Sequence, residues 1–491
     1  MGLNADLPAL PKGWVWTRVG EIAYTTSGGT PSRKIKAYFN GNIPWLKSGE
    51  LKDSFIYNSE ETISEEALKN SSAKIFPVNT ILIALYGATV GRLGILKIEA
   101  STNQAICVIL NKYNTYYNKY LFYFLMSFRN KLINKRFGGA QPNISQEIVR
   151  DVIFPLPPLP EQHRIVNKIE ELFTKLDAGV DALKKIKIQL KRYRQSVLKN
   201  AFEGKLTQQW REAHKGKLEP ASVLLEKIKE QRKKEFKGKF KELPPIDTSE
   251  LPELPEGWVW TRVDCITQNI TKGSTPTSYG FSYKKEGIKF IKTENITEDG
   301  IIANIKDFID EDANNFLKRS ILQTNDILFS IAGTIGRVGL VQERDLPANT
   351  NQALSLIRLF SENIVNKYVF YFLRSPYIQK QSLKSIVGVG RANITLTDVS
   401  NYNIPLPPLS EQHQIVSEIE RRLSVADQLE KVVEQSLKQA ERLRQSILKQ
   451  AFEGKLVPQD PTDEPAEKLL ERIKEEKESR GLANEKSRKR K

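Results

Sequence analysis

The residues best placed to do chemistry form a triplet that occurs twice, Glu161-Gln162-His163 and Glu411-Gln412-His413. A histidine beside a carboxylate could act as a general base. The competing reading makes each histidine a surface residue in the first turn of a helix, or a contact to a partner. Two glycine segments, residues 87–92 (GATVGR) and 332–337 (AGTIGR), have three residues between their glycines or fewer and end in arginine. A loop that cradles phosphate needs four, followed by Lys-Ser/Thr. The Pro-Pro pairs at 157–158 and 407–408 are flanked by leucine, unlike the Asn/Asp-Pro-Pro-aromatic tetrapeptide of adenine methyltransferases. Two cysteines (Cys107, Cys265) at non-equivalent places argue against a disulfide framework and fit a reducing cytoplasm. Three histidines (His163, His214, His413) without ligand-pair spacing argue against a zinc site.

The elements that carry these residues are duplicated. Residues 10–19 (LPKGWVWTRV) and 254–263 (LPEGWVWTRV) agree at nine of ten positions. Residues 155–166 (PLPPLPEQHRIV) and 405–416 (PLPPLSEQHQIV) agree at ten of twelve, and residues 192–206 and 442–456, each containing AFEGKL, at twelve of fifteen. Glu219-Pro220-Ala221 echoes as Glu464-Pro465-Ala466. The offset grows from 244 at the first motif to 250 at the block containing AFEGKL, so the second copy has gained six residues inside its globular part. Tandem duplication explains this pattern. Between the shared blocks, residues 33–77 and 278–322 have little in common. Two enzymes with one reaction would keep matching catalytic residues there. Two readers of different targets would keep the frame and diverge at the reading surface.

Each globular half reads as short β-rich runs, for example residues 81–86 and 327–331, each leading into a Gly-containing turn. Residues 117–125 (YNKYLFYFL) and 365–373 (VNKYVFYFL) read as a buried helix, with a base-stacking platform as the alternative. After Pro160 and Ser410 the pattern becomes helical over about 161–203 and 411–453. Ile165, Ile169, Leu172, Leu176, Val180, Leu183, Ile186, Leu190, Tyr193 and Val197 step by three or four, as do Ile415, Ile419, Ala426, Leu429, Val433, Ala440, Leu443 and Ile447. At about 1.5 Å per residue each helix would be roughly 65 Å long. Glu161 and Glu411 sit in the first turns and complement the helix dipole; Gly204 and Gly454 are natural stops. One apolar stripe must be covered, and two near-identical stripes predict antiparallel pairing. The alternatives are a generic helical linker or pairing of each helix with a partner protein.

The expected fold class is α+β: two β-rich globular domains separated by two long antiparallel helices forming a coiled-coil-like spacer, a pseudo-twofold internal repeat. The expected divisions are residues 1–159 and 250–409 for the globular domains, 160–206 and 410–456 for the helices, 207–249 for a basic linker with a short helix, and 457–491 for a C-terminal helix and basic tail. A length of 491 residues suits two or more such domains. No apolar run approaches a membrane span, and no secretory signal is visible at the N-terminus. The formal net charge of +17 and pI near 9.5 point to a polyanion, nucleic acid by default. Basic runs at 227–241 and 486–491 account for only part of that charge.

The series LPxGWVWTRV, SGGTPS or KGSTPT, TVGR or TIGR, TNQA and PLPPLxEQ before a long helix, twice and in order, resembles the DNA-specificity subunit of Type I restriction–modification systems. The resemblance covers essentially the whole chain. It implies two target recognition domains, each reading one part of an asymmetric bipartite DNA sequence. It implies a helical ruler that is also a platform for two methyltransferase subunits, which bind S-adenosylmethionine, methylate adenine and recruit restriction subunits. This chain would be non-catalytic and bind no cofactor, with S-adenosylmethionine, ATP and Mg2+ on the partner subunits. A self-sufficient DNA methyltransferase or nuclease, and a coiled-coil scaffold without a DNA role, are the alternatives.

The candidate DNA-binding residues are those that recur. Lys47 and Lys292 lie in corresponding segments, Arg92 and Arg337 follow the glycine turns, and Asn103-Gln104 and Asn351-Gln352 repeat. Asn143 and Asn393, with Arg391 nearby, precede isoleucine in a shared turn. Being shared, they suit phosphate positioning or framework. Discrimination is expected where the halves differ, within residues 33–57 and 279–306.

Overall fold

The computed structural model describes residues 7–112, 116–134, 143–235, 244–360, 362–384 and 393–476. The chain divides into two compact units, Met1–Leu183 with Gln435–Lys491, and Lys184–Glu434. The segment after the second long helix therefore belongs with the N-terminal unit.

In the first unit the duplicated ends of the globular part meet. Strand Val15–Arg18, from the GWVWTR block, pairs antiparallel with Ile153–Leu156, from the PLPPL block, with Trp16 opposite Pro155. Proline lacks an N–H, and it is tolerated because this ribbon has only two strands. A five-stranded sheet follows, in the order Tyr24–Ser27, Ile106–Leu110, Ile81–Ala84, Leu93–Leu96, Ser54–Ile56, antiparallel except at the last pairing. A three-stranded sheet sets Ile43–Leu46 between Glu61–Ile63 and Ser101–Thr102. The run at 81–84 is buried on both faces, which is why it is continuously apolar rather than alternating. Helix Asn118–Asn134 carries Tyr120, Leu121 and Leu125 into the main core, so its aromatic residues pack the interior and offer no stacking platform.

The second unit repeats this plan on a four-stranded sheet, Thr267–Lys272, Leu354–Leu359, Ile327–Ser330, Val338–Leu340. Its three-stranded sheet is Phe308–Ile309, Ile288–Ile291, Ala348–Thr350, and Val259–Arg262 pairs with Asn403–Leu406. Among the described residues the fifth strand of the first unit has no counterpart; an isolated bridge between Ile296 and Ile302 lies in that part of the chain. Framework caps are retained: Ser145 accepts from Ile148 N at 3.1 Å and Thr395 from Asp398 N at 3.1 Å, each opening a short helix after a divergent segment. Among the described residues between the first long helix and the second globular part lie two helices, Gln208–Ala213 and Ala221–Glu235, rather than one. The far end of the basic run, and the basic tail at 486–491, lie outside the described residues.

The long helices are Leu159–Phe202 and Leu409–Phe452. They pair antiparallel. In the second unit Lys187 meets Glu434 at 2.8 Å and Arg194 meets Asp427 at 2.6 Å, seven residues forward on one helix and seven back on the other. In the first unit Arg444 meets Asp177 in the same register and lies over the Phe173 ring, 4.2 Å from its centroid. The predicted stripe is only partly covered. Ile165, Ile169, Leu190, Val197, Ile415, Ile419, Ala426, Val433 and Ile447 are buried, but Ile186, Tyr193, Leu429 and Leu443 are exposed. A two-helix pair covers one face of each helix, and periodicity alone does not say which flank stays open. Among the described residues no helix is long and apolar enough to cross a membrane.

Candidate nucleic-acid interface

The most strongly duplicated residues build a clasp. Trp14 Nε1 donates to Glu161 Oε2 at 3.0 Å, and Trp258 Nε1 donates to Glu411 Oε2 at 2.8 Å. Gln162 accepts from Tyr117 N at 2.8 Å and donates to Pro157 O at 3.0 Å; Gln412 does the same with Val365 N and Pro407 O at 3.0 and 3.1 Å. Tyr120 and Tyr368 hydroxyls donate to the carbonyls of Pro155 and Pro405. The Glu-Gln pair of each triplet is thus buried and anchors a long helix to its globular part. Glu161 and Glu411 do more than face the helix dipole. His163 is exposed and stacks on Tyr117, ring centroids 4.0 Å apart.

The clasps differ in charge compensation. Glu411 also accepts from Thr207 Oγ1 at 2.7 Å and from Arg211 Nη1 at 2.6 Å. The repeat places Val457 and Pro461 at the matching positions, and Glu161 Oε1 is buried without a hydrogen-bond partner. Burial pushes the Glu161 carboxyl above the usual carboxylate range, against the Trp14 bond and the nearby Arg164 cation.

The recurring candidates fall into four local structures. In the first, a clip, Thr30 Oγ1 donates to Gln104 and Thr275 Oγ1 to Gln352, pinning SGGTPS and KGSTPT to the TNQA segments. The chains approach so closely that a Cβ on Gly28 would lie 2.1 Å from Thr102 O, and one on Gly273 would lie 1.8 Å from Thr350 O, so glycine is required. Asn103 N donates to Leu46 O at 2.9 Å, and Asn351 Oδ1 accepts from Ala353 N at 3.1 Å.

Second, Lys47 pairs with Glu60 and Glu61, both at 3.0 Å, and Glu61 also holds Arg33 at 2.7 Å. The Arg33 bond, then Lys47, keeps the Glu61 carboxyl below its ordinary range, and the Glu61 bond raises the Lys47 ammonium. Lys292 pairs with Asp307 at 2.8 Å and lies 4.3 Å from the Tyr283 ring centroid. Third, Arg92 pairs with Asp53 at 2.6 Å, while Arg337 donates to the carbonyls of Ile296 at 2.9 Å and Thr293 at 3.3 Å. Fourth, Asn143 bridges Tyr86 and Asn393 bridges Ala332, each at the end of the segment that enters the glycine turn. Arg391 lies outside the described residues. Lys47, Lys292 and Arg92 each have a carboxylate partner, and their shared positions carry unlike partners in the two units.

Beyond the clips, each unit exposes the divergent segment. In the first, residues 32–37 are exposed, including Lys34 and Lys36, and Tyr57 is two-thirds exposed. In the second, Tyr279 and Phe316 are exposed and their rings meet at a tilt of 54°, centroids 5.1 Å apart, with Lys285 nearby in sequence. Sequence reading bracketed most of these but missed Phe316, which lies beyond the expected window and joins Tyr279 only through the fold.

Residues 11–192 and 255–439 each match the family described as the Type I restriction modification DNA specificity domain. The specificity subunit of the Type I restriction enzyme EcoBI from Escherichia coli is 31% identical over 394 residues, covering 78% of this chain and 76% of that protein. The EcoKI specificity subunit from E. coli strain K12 is 26% identical over 497 residues, covering 96% and 97%. The fold resembles a chain solved in work on complex assembly and conformational transition of the type I R-M system, with TM-score 0.63 and 19% identity, covering 91% of this chain and all of that one. It also resembles the HsdS subunit from Thermoanaerobacter tengcongensis, with TM-score 0.54 and 19% identity over 91% and 98% of the two chains.

Proposed function

This chain belongs to the Type I restriction–modification DNA-specificity family, and from that premise we propose that its two globular parts read two different halves of one bipartite DNA target. The observation that carries this reading is the contrast between a clasp and clip that recur in both units and the unlike exposed segments they hold out. A frame kept twice around divergent loops fits two readers of unlike sequence.

In this reading the net charge of +17 supplies the sequence-independent attraction to phosphate. Base edges are read by the exposed segments around Lys34, Lys36 and Tyr57 in one unit and Tyr279, Lys285 and Phe316 in the other. Lys47, Arg92, Asn103, Gln104 and Asn143, with Lys292, Arg337, Asn351, Gln352 and Asn393, border those segments and set their position. Their internal partners suit a framework role more than base discrimination. The long helices are the spacer and the platform for two modification subunits.

The chemistry resides in those partners. The modification subunits carry S-adenosylmethionine and methylate adenine, restriction subunits with ATP and Mg2+ cleave, and this chain directs both in the cytoplasm without a catalytic site of its own. Co-expression with the modification subunit, followed by mapping of methylated adenines on genomic DNA, tests the reading. A split motif with a fixed gap supports it. Methylation without any such motif, or by this chain alone, refutes it.

A further inference from the structure

The duplication keeps an arginine after the glycine turn in both units, and the two arginines find different partners. In the first unit Asp53 accepts from Arg92 at 2.6 Å, from Arg129, and from Leu93 N at 3.0 Å, so one internal carboxylate serves two guanidinium groups. In the second unit the Arg337 guanidinium donates to the carbonyls of Ile296 and Thr293. Arg374, half-buried, donates to the carbonyl of Glu298 at 3.0 Å and lies 5.1 Å from the Phe370 ring centroid. Both arginines line a cleft of about 800 Å³ that also takes in Lys191 from the first long helix. Among the described residues none of these three cations makes an ion pair with a carboxylate.

The carboxylates on the helical wall of the cleft are already matched. Asp427 and Glu430 hold Arg194 at 2.6 and 2.8 Å, and Glu420 holds Lys367 at 2.6 Å. Glu298 and Asp299 are exposed, and Asp299 acts on Arg374 without pairing with it. Burial outweighs these neighbours and holds the Arg374 guanidinium below its ordinary range. The repeat confines this arrangement to one unit: the positions matching Arg374 and Lys191 are Met126 and Glu441. Met126 packs against the core of its own unit. One copy thus satisfies its arginines with Asp53, and the other gathers cations around a cleft.

We propose that this cleft binds the phosphate end of a nucleotide-sized ligand, with Arg374 as its main anchor and Arg337 and Lys191 beside it. The site is separate from DNA reading and does not depend on it. A guanidinium presents paired N–H donors that match phosphate oxygens, and the volume is that of a small-molecule pocket. Leu198, Leu423, Ile335 and Val338 give the cleft an apolar wall against which a base can lie. The phosphates of a duplex line its outer surface with one charge each. A terminal phosphate carries about two and can reach a recessed arginine.

Calorimetry of the full-length chain with ATP, with tripolyphosphate and with a short duplex of random sequence tests this. The expected result is saturable ATP binding at one site per chain, tighter than that of tripolyphosphate because the base adds the apolar wall. Arg374→Met and Lys191→Glu install the side chains that the first repeat carries at these positions. Each should weaken ATP binding by at least about tenfold and leave duplex binding unchanged. Lys191 is exposed, so Lys191→Glu keeps the test open if Arg374→Met disturbs folding, which thermal unfolding of each variant reads out. No saturable binding of ATP, two equal sites per chain, or ATP binding unchanged in both variants overturns the proposal. So does ATP binding no tighter than that of tripolyphosphate. A loss of duplex binding rather than ATP binding in Arg374→Met assigns the cleft to the DNA backbone and overturns it as well.

Discussion

Phe202, at the end of the first long helix, meets Tyr368 of the second globular part edge-on with ring centroids 5.3 Å apart. Phe452, at the end of the second, meets Tyr120 of the first globular part at the same 5.3 Å. Each helix leaves the module it began in and ends in the core built by the other. The chain that follows keeps to the exchange: Ala221 N donates to Gly257 O and Ala466 N to Gly13 O, both at 2.9 Å. Gly204 and Gly454 turn the chain there with φ of +70° and +68°, against Pro255 and Pro11. Each compact unit is therefore built from both copies of the repeat.

This exchange sets the stability of each unit. Phe202→Ala should destabilise the unit holding Tyr368, and Phe452→Ala the unit holding Tyr120, each by about 3–5 kcal/mol. Hydrogen exchange resolved by peptide reads this out: Phe202→Ala should raise exchange in Ile327–Ser330 well above that in Ile81–Ala84. Equal loosening of both sheets would contradict the assignment.

The two buried glutamates should respond unequally to neutralisation. Glu411→Gln strips the charge facing Arg211 and should cost about 2–3 kcal/mol. Glu161→Gln removes a half-partnered carboxylate and should cost less than about 1 kcal/mol at neutral pH. Because burial raises the Glu161 pKa in the folded chain, the folded state holds that proton more tightly than the unfolded state. Stability should fall as pH rises from the ordinary carboxylate range through the raised value. Urea unfolding across that range should show the slope in the unaltered chain and less of it in Glu161→Gln.

The clips should act on one half of the target at a time. Gly28→Ala forces the clip segment away from Thr102, and Gly273→Ala does the same at Thr350. Each should lower affinity for DNA intact in its own half-site by at least about tenfold and change little on duplexes scrambled there. Binding measured on duplexes scrambled in one half-site separates the two. A loss confined to neither half would show that the clips hold the fold generally.

The paired helices, the strand-and-turn plan and the doubling were legible because period and repeat are local properties of the sequence. The clasp was half legible: Glu-Gln stood out as duplicated, but its tryptophan partner lies 147 residues away in one unit and 153 in the other. The charge state of the candidate site was hidden for the same reason. Lys47 reads as a free cation until Glu61 arrives on the neighbouring strand, and Arg92 until Asp53 does. The exposure of Leu429 and Tyr193 was not legible, since a stripe of period 3.6 looks the same whether one flank is covered or two.

The most direct measurement exchanges the exposed segment of one reader and leaves the rest. Residues 31–57 are replaced by the corresponding segment of a family member with a different target, the chain is co-expressed with its modification subunit, and methylated adenines are mapped genome-wide. The account predicts that one half of the modified motif changes while the other half and the gap between them stay fixed. A change in both halves, or in neither with methylation intact, would contradict it.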